Sequence, residues 1–220
     1  MNLLDIDGAG LTSQRNRDRL AERLARQGIA DGRVLEAIRT TPRHLFVDSA
    51  LADRAYEDIA LPIGHGQTIS QPWVVAAMTE AAIETDPGRV LEVGTGSGYQ
   101  AAVLARLVRQ VFTVERIAPL VERARRRLRD LRIRNVHVRL DDGNLGWRGR
   151  APFDTVVVTA GAETLPEPLL EQVAVGGRLV IPVGNGDVKD LCVITRNGDG
   201  WRRRRLRKVR FVPLREGVQR

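Results

Sequence analysis

Apolar residues along the chain follow two different spacings, and their alternation predicts an α/β protein. Val90, Leu91 and Val93 form a short apolar run, which is typical of a strand buried in a parallel sheet, and residues 110–115 and 153–159 are predicted as further strands. Residues 119–131 instead have apolar positions at the helical period, with arginines on the remaining face. Strands that alternate with helices in this way favour a Rossmann-like, doubly wound sheet whose strands are mostly parallel.

The same pattern predicts helices at the amino end of the chain and antiparallel strands at its carboxyl end. The predicted helices are residues 13–28, 32–39 with Asp31 as the cap, 73–82, a helix from Tyr99, 119–131, and 166–172 stopped by Gly176 and Gly177. Further predicted strands are residues 90–93, 136–140, 178–183, 191–196, 201–205 and 207–214. The last three have short connections, one of them Asn-Gly-Asp-Gly, and therefore require antiparallel pairing. No linker interrupts the pattern, so we expect one domain over residues 1–220 with a loose arm at 1–12.

A glycine-rich loop, RVLEVGTGSGY at residues 89–99, stands between a buried strand and a helix. Ligands of α/β proteins bind at this place, the carboxyl end of a strand, where glycines permit close approach. The dinucleotide fingerprint would have its third glycine one residue later, and the Gly-Lys-Ser/Thr of a P-loop is absent. The form resembles the first motif of class I S-adenosylmethionine-dependent methyltransferases. Glu92 is predicted to turn outward, to bind either nearby backbone amides or a cofactor.

Composition argues against a membrane-spanning, secreted or disulfide-containing protein. The chain has 220 residues, 43% of them hydrophobic, which is enough for a sizeable core. No apolar run approaches the length of about 18 residues typical of a membrane span, and the amino terminus lacks a signal-peptide pattern. We therefore expect a cytoplasmic enzyme with no membrane partner. The one cysteine, Cys192, excludes an internal disulfide and is typical of a small core residue.

A net charge of +8 and a pI of about 10.9 would suit a nucleic-acid partner, but two features weigh against it. The basic residues are almost all arginine, with lysine only at Lys189 and Lys208, which indicates a coding preference spread over the surface. Aromatic residues make up 4% of the chain, which is low for a surface that stacks bases. We therefore expect no specific nucleic-acid binding.

Residues 61–72, LPIGHGQTISQP, have glycines and prolines that predict a loop of defined shape. Two interpretations of Ser70 remain open, because it is either the N-cap of the following helix or a contact to a ligand. His65 is typical of a surface loop. No second histidine or carboxylate lies near it at the spacing of metal ligands, so we expect no metal site.

Several motifs together resemble the protein-L-isoaspartate O-methyltransferase family, over residues 27–214. The matching segments are LPIGHGQTISQP at 61–72, LEVGTGSGYQ at 91–100, TVERI at 113–117, FDTVVVTAGAETLP at 153–166, GGRLVIPVG at 176–184 and RFVPL at 210–214. The pattern PIGxGxTIS is specific to this family, whereas many methyltransferases share the glycine loop. The resemblance implies methyl transfer from S-adenosyl-L-methionine, leaving S-adenosyl-L-homocysteine, to the free α-carboxylate of L-isoaspartyl residues in aged proteins and peptides. It implies a monomeric protein-repair enzyme.

The resemblance also implies roles for individual residues, with Ser70 as the catalytic residue. The cofactor-binding residues would be Gln67, Thr68, Ile69, Ser70, Glu92, Gly94, Thr95, Gly96, Ser97, Gly98, Glu115, Arg116, Asp142 and Gly143. The substrate-binding residues would be Ile63, His65, Ser70, Val212, Pro213 and Leu214. Spacing supports Glu115 as a ribose contact, since it ends the second strand 21 positions after Gly94, and Asp142 would accept from the adenine amine. Residues 212–214 would end the last strand as an edge that pairs with a peptide.

Two other functions remain open at this point. One is a carboxyl methyltransferase of the same fold that acts on ordinary aspartate in a biosynthetic peptide. The other is a protein that binds or modifies nucleic acid through the basic stretch at residues 202–210. The Asn/Asp-Pro-Pro-aromatic motif of base methylases is absent after the 153–159 strand, and the basic stretch is typical of an antiparallel strand with one solvated face.

Overall fold

The computed structural model describes residues 10–198 and 200–220. The helices are α1 (Gln14–Arg26), α2 (Gly32–Thr40), α3 (Pro72–Ile83), α4 (Tyr99–Leu104), α5 (Ala118–Asp130) and α6 (Glu167–Leu170). The strands are β1 (Leu61–Gly64), β2 (Gln67–Ile69), β3 (Arg89–Val93), β4 (Gln110–Glu115), β5 (Val136–Leu140), β6 (Phe153–Val158), β7 (Val173–Val183), β8 (Val188–Asn197) and β9 (Gly200–Arg210). None of the described helices is long and apolar enough to cross a membrane.

Seven strands form the central sheet in the order β5-β4-β3-β6-β7-β8-β9. The pairs among β3 to β7 are parallel, whereas β8 and β9 are antiparallel to their neighbours. The prediction of a mostly parallel, Rossmann-like sheet with an antiparallel carboxyl-terminal segment is confirmed. The chain passes from β3 outward to β5 and returns to β6 on the other side of β3. This reversal opens a crevice at the carboxyl ends of the central strands, where α/β proteins bind ligands.

Apolar side chains cover both faces of the sheet. On one face, β3 contributes Val90 to a core that includes α1 to α5, and the apolar helix α3 lies within it. On the other face, Leu91 and Val93 join a second core that is closed by α6 and by Trp147. Because both faces are buried, apolar residues in the central strands do not alternate regularly with polar ones.

Most of the segment at 61–72 is a β-hairpin over residues 61–69, so the prediction of a loop there was wrong. Strand β1 pairs with β2 in antiparallel fashion, and Gly64 lies opposite Gln67. The two residues between them, His65 and Gly66, have φ values of 55° and 67°. Positive φ at both central positions is the geometry of a type I′ turn, whose twist suits a two-residue hairpin. The hairpin therefore holds Ser70 at the end of an ordered strand.

At the carboxyl end, the predictions of a helix over 166–172, of a strand that starts at 178, and of two strands within 201–214 were also wrong. Helix α6 has four residues and ends before Gly176 and Gly177, which lie inside β7. The chain bulges there, because the partner of Val173 is Phe153 and the next paired residue on β7 is Arg178. Residues expected to form two strands, at 201–205 and 207–214, belong largely to the single strand β9. The register shifts at Leu206, because Arg205 pairs with Cys192 and Arg207 with Leu191.

The loose arm expected at residues 1–12 lies mostly outside the described residues. Its last three residues, Gly10–Thr12, form a 3-10 turn ahead of α1. The expected single domain over the whole chain stays a prediction. Cys192 is fully buried in β8, as expected of a core residue.

Candidate active site

A cavity lies at the carboxyl ends of β3 and β4, between the glycine loop, the end of β2 and the chain after β9. It encloses about 820 Å³ of space that protein atoms do not fill, part of it open to solvent. The residues predicted from sequence that line it are Gln67, Thr68, Ile69, Ser70, Glu92, Gly94, Thr95, Gly96, Ser97, Glu115, Arg116, Gly143, Val212, Pro213 and Leu214. Segments far apart in sequence thus meet around one space, at the strand ends where α/β proteins bind ligands.

Four predicted site residues lie outside this lining. Gly98 is the N-cap of α4 with φ of 89°, and a Cβ there would lie 3.4 Å from the Cβ of Ala124, so packing favours glycine here and its cofactor contact stays a prediction. Ile63 supports the loop from behind, since its Cδ1 lies 3.4 Å from the place of a Cβ on Gly96. His65 is exposed in the hairpin turn. Asp142, the fourth, caps the turn that begins at Gly143 beside the cavity.

The first glycine of the loop is required by a close approach. Gly94 has φ of 97°, and a Cβ there would come within 2.5 Å of Thr159 Oγ1. The Thr159 hydroxyl bonds to the carbonyl oxygens of Gly94 and Val93, at 2.6 and 2.9 Å. Thr159 follows β6 directly and thereby fastens the glycine loop to the neighbouring strand. A larger residue at position 94 would break this contact.

Glu92 is fully buried in β3, so the expectation that it turns outward was wrong. The hydroxyl of Thr113 donates to Glu92 Oε2 at 2.5 Å, and the hydroxyls of Thr113 and Thr95 lie 2.6 Å apart. Because Thr113 has one hydroxyl proton, Thr95 must be the donor to Thr113. This chain of hydrogen bonds joins Glu92 to the glycine loop.

The second oxygen of Glu92 is buried and has no hydrogen-bond partner within the described residues. Burial raises the pKa of this carboxyl from 4.5 to about 8, and the nearby negative charge of Glu115 adds to the increase. A cationic or hydrogen-bonding ligand group in the cavity would satisfy this oxygen. Glu92 therefore contacts a threonine hydroxyl and not the backbone amides that the sequence also allowed.

Glu115 ends β4 and organises the backbone around the cavity. Its Oε2 accepts from the amide of Gly96 at 2.8 Å, and its Oε1 accepts from the amides of Arg116 and Ile117 at 2.9 and 3.0 Å. A carboxylate has about four acceptor positions, so one on Oε2 remains for a ligand hydroxyl. The carboxylate is thus both a loop anchor and a candidate ribose contact, and the ribose role stays a prediction.

Ser70 does not cap the helix that follows it. The N-cap of α3 is Gln71, and the helix begins at Pro72, earlier than predicted. The Ser70 carbonyl accepts from Nη2 of the buried Arg43 at 2.8 Å, and its hydroxyl has no partner within the described residues. The structure therefore fixes the backbone of Ser70 and leaves its hydroxyl for another group.

The segment at 212–214 is not the end of the last strand, because β9 ends at Arg210. It instead pairs with Gly161, whose amide donates to Val212 O and whose carbonyl accepts from the Leu214 amide, both at 2.8 Å. One edge of the segment is therefore occupied. The three residues still line the cavity, and their contact with a substrate stays a prediction.

Several lining residues were not predicted from sequence. These are Val75, Val93, Tyr99, Gln100, Val114, Ile117, Thr159, Ala160 and Arg215. The sequence did hold a signal for Thr159, since it is the first polar residue after the apolar run at 156–158, at the end of a strand, where α/β proteins place ligand contacts.

The family model for protein-L-isoaspartate(D-aspartate) O-methyltransferase matches residues 14–219. The chain belongs to this family. The resemblance found in the motifs is thereby confirmed, and with it the assignment as an enzyme that transfers methyl groups.

Individual relatives are similar over nearly their whole length. A protein-L-isoaspartate O-methyltransferase of Halorhodospira halophila is 59% identical over 211 residues, which are 96% of each chain. One from Pseudomonas paraeruginosa is 58% identical over 94% of this chain and 99% of its own. A solved Plasmodium falciparum structure described as this methyltransferase, in complex with S-adenosyl-L-homocysteine, superposes with a TM-score of 0.81 at 28% identity. That match covers 90% of this chain and 98% of the other.

Asp142 has most of its acceptor positions occupied, so its predicted contact to adenine stays a prediction. Its Oδ1 accepts from Asn144 N and Nδ2 at 2.9 and 3.0 Å, and its Oδ2 accepts from the Gly217 amide at 2.7 Å. These bonds hold the turn that places Gly143 on the cavity wall. They also hold the pKa of Asp142 below its usual value, although burial opposes the decrease.

We expect Asp142→Ala to weaken cofactor binding, by about 1 kcal/mol through the lost cap alone and by more if adenine binds there. Asp141→Ala should weaken binding less, because Asp141 lines no part of the cavity and its carboxylate holds the turn only by pairing with Arg139 at 2.6 Å and accepting from the Asp142 amide at 2.9 Å. Titration calorimetry of both variants measures the difference. The reverse order of affinities would show that Asp141 is the residue that matters.

Proposed function

We propose that this chain is a protein-repair enzyme that transfers a methyl group from S-adenosyl-L-methionine to the free α-carboxylate of L-isoaspartyl residues. The observation that carries the proposal is the position of Ser70. It lies where the glycine-loop cavity adjoins a second groove, and its hydroxyl is unpaired within the described residues. A hydroxyl donor between a cofactor cavity and a peptide-sized groove suits a carboxylate carried on a polypeptide.

The residues of the cavity fit the cofactor. Glu92 presents an unpartnered buried oxygen, which suits the cationic amino-acid part of the cofactor. Gly94 and Gly96 remove side chains from the loop beside it, and Glu115 keeps an acceptor for a ribose hydroxyl. When bound, S-adenosyl-L-methionine supplies a methyl group on a positively charged sulfur, which leaves as the neutral thioether of S-adenosyl-L-homocysteine. Gly143 would lie at the adenine end.

The reaction needs positioning more than proton transfer. An α-carboxylate has a pKa of about 3.5 and is already ionised at neutral pH, so no base has to activate it. The protein has to hold this anion in line with the methyl group and exclude water. The Ser70 hydroxyl donates one hydrogen bond to a carboxylate oxygen without neutralising the anion. Arg43 holds the Ser70 backbone during this contact.

The direct test uses two peptides that differ only in the linkage at one residue, isoaspartyl or aspartyl. The proposal expects base-labile methyl ester on the isoaspartyl peptide and little on its twin, because the extra backbone methylene brings the α-carboxylate to the methyl group. Methylation of the aspartyl peptide alone would support instead a carboxyl methyltransferase for biosynthetic peptides. Methylation of neither peptide by folded, cofactor-binding protein would overturn the proposal.

Ser70→Ala should lower kcat on the isoaspartyl peptide, by roughly 1–3 kcal/mol of barrier, since one hydrogen bond to a charged group is lost. Cofactor affinity should change little, because the Ser70 backbone stays bound to Arg43. Steady-state kinetics and calorimetry measure the two quantities. The thermal unfolding midpoint is the control, since Gln71 and not Ser70 caps α3. Normal turnover in this variant would remove Ser70 from the mechanism.

The finer expectations on partners and location belong to the same proposal. We propose a cytoplasmic monomer that acts on isoaspartyl proteins and peptides and binds no specific nucleic acid. Support for the last point comes from β9, where the basic stretch forms an antiparallel strand exposed at the sheet edge, as expected of solvated arginines. Weak binding to DNA that disappears as salt rises would be simple counterion release.

A further inference from the structure

A second groove continues from the cavity along the end of β9. Both spaces are lined by Thr68, Ser70, Thr159 and Val212, so a chain whose reactive residue lies at Ser70 extends into this groove. The groove then follows residues 207–212 toward Trp73 at the start of α3. It is therefore the place for residues that flank the isoaspartyl group, and this inference rests on the proposed function.

The wall of the groove is strongly basic. It carries Arg207, Lys208 and Arg210, and all three are exposed. The Arg207 guanidinium lies 4.6 Å from the centre of the Trp73 ring, and this cation–π contact holds it against the wall. Neither Arg207 nor Arg210 has an ion pair within the part of the chain that the structure describes.

Acidic groups do not balance these charges. Asp58 is the one acid among the described residues that line the groove, and its two oxygens accept from Trp73 N and Gln27 Nε2 at 2.9 and 3.0 Å. Asp190 lies opposite Lys208 in the strand register, but its Oδ2 is directed to Arg205 at 3.6 Å. The groove therefore offers cations without partners to whatever it binds.

We propose that this groove is a specificity subsite that selects isoaspartyl peptides with acidic flanking residues. Arg210 stands two positions before Val212, which is about 7 Å along an extended chain. A peptide that lies beside this segment thus brings a side chain two residues from the isoaspartyl group to Arg210. Exposed ion pairs are individually weak, so a contrast of about three- to tenfold is expected between acidic and basic flanks.

The test measures kcat/KM on isoaspartyl peptides that differ only two residues before or after the isoaspartyl group. Glutamate, glutamine or lysine occupies that place. The expected order on one of the two sides is glutamate above glutamine above lysine, mainly through KM, with a contrast that shrinks as salt rises. Equal kcat/KM for all peptides would overturn the subsite while leaving the proposed function intact. No methylation of any peptide would overturn the proposed function, and the subsite with it.

Two charge-reversal variants, one inside and one outside the groove, test whether the preference for acidic flanking residues arises in the groove. Arg210→Glu should reverse the order of the peptides, and Arg210→Gln should flatten it. Arg202→Glu makes the same charge change on β9 at a residue that is also exposed and unpaired within the described residues. It lies about 26 Å away along the strand, beyond the screening length of about 8 Å, so it should leave the order unchanged. An equal effect of both glutamate variants would overturn the proposal, because it would show a general effect of net charge.

Discussion

Glu92→Gln is expected to weaken the binding of S-adenosyl-L-methionine by about 1.5–3 kcal/mol, because a hydrogen bond to a buried charged group is lost. The unpartnered Oε1 of Glu92 is buried, and Glu92 forms part of the cavity wall. Titration calorimetry at pH 8.5 measures the loss. Glu122→Gln is the control, since Glu122 is exposed on α5 and has no ion pair among the described residues, and it should bind as wild type.

The same carboxyl should make cofactor affinity depend on pH. Burial raises the pKa of Glu92 to about 8, so at pH 7 it is mostly protonated and has to lose its proton when a cationic group binds. Affinity should then fall below pH 8, by at most about tenfold per pH unit. The amino group of the ligand also titrates near pH 8, so the difference between wild type and Glu92→Gln isolates the protein group. Identical pH profiles would contradict a contact between Glu92 and the cofactor.

Without the cofactor, the same pKa affects stability in the opposite sense. A buried carboxyl with a raised pKa binds more protons in the folded than in the unfolded state between pH 4.5 and about 8. The free energy of unfolding therefore decreases as pH rises through this window. Glu92→Gln should remove that part of the decrease, so chemical denaturation at pH 5 and pH 9 should show a smaller change in the variant. Glu92 therefore lowers the stability of the free protein at high pH, where the same charge is expected to favour cofactor binding.

The glycine loop and its strands could be predicted because their signals are local. The alternate glycines at 94, 96 and 98 and the apolar runs of β3 and β6 each lie within a few consecutive residues. The direction in which Glu92 points could not be predicted. In a strand buried on both faces, the period of two does not distinguish an inner from an outer side. An isolated acid in such a run therefore looks like a residue facing out.

Features that depend on distant parts of the chain were missed. The contact of Thr159 with Gly94 forms only when β6 lies beside β3, which sequence spacing does not show.

Two further errors had local causes. The hairpin at residues 61–69 was interpreted as a loop because its turn uses His65 at positive φ, without the Asn-Gly or Asp-Gly pair that usually indicates such turns. The start of α3 shifted by one residue for a local reason, since Pro72 suits the first helical position.

Arg43 gave no signal in the sequence, although it organises the chain around Ser70. It is fully buried, and its guanidinium donates to the carbonyl oxygens of Ala55, Ile59 and Ser70 at 2.9, 3.4 and 2.8 Å. It also lies 4.9 Å from the centre of the Tyr99 ring. Burial lowers its pKa from 12.5 to about 10, so it stays cationic at neutral pH. The Arg43 guanidinium therefore connects three backbone carbonyl groups with Tyr99, the first residue of the helix that follows the glycine loop.

Arg43→Met should lower the free energy of unfolding by about 2–4 kcal/mol, because these carbonyls lose a charged donor while methionine fills most of the volume. In the protein that remains folded, kcat should fall while cofactor affinity changes little, since the Ser70 carbonyl is released and the glycine loop keeps its own contacts. Chemical denaturation, methyl-transfer kinetics and calorimetry measure the three quantities.

Arg54→Met is the control variant, because it removes an exposed arginine and so measures the effect of losing an arginine that binds no buried carbonyls. The Arg54 side chain is 53% exposed and pairs with Glu57 at 3.2 Å, so its replacement should cost less than about 1 kcal/mol and leave kcat unchanged. Arg43→Lys is the second comparison, because a lysine keeps the charge but lacks the fork that reaches several carbonyls at once. It should recover part of the stability and less of the turnover. Wild-type turnover in Arg43→Met would show that the position of Ser70 does not depend on this arginine.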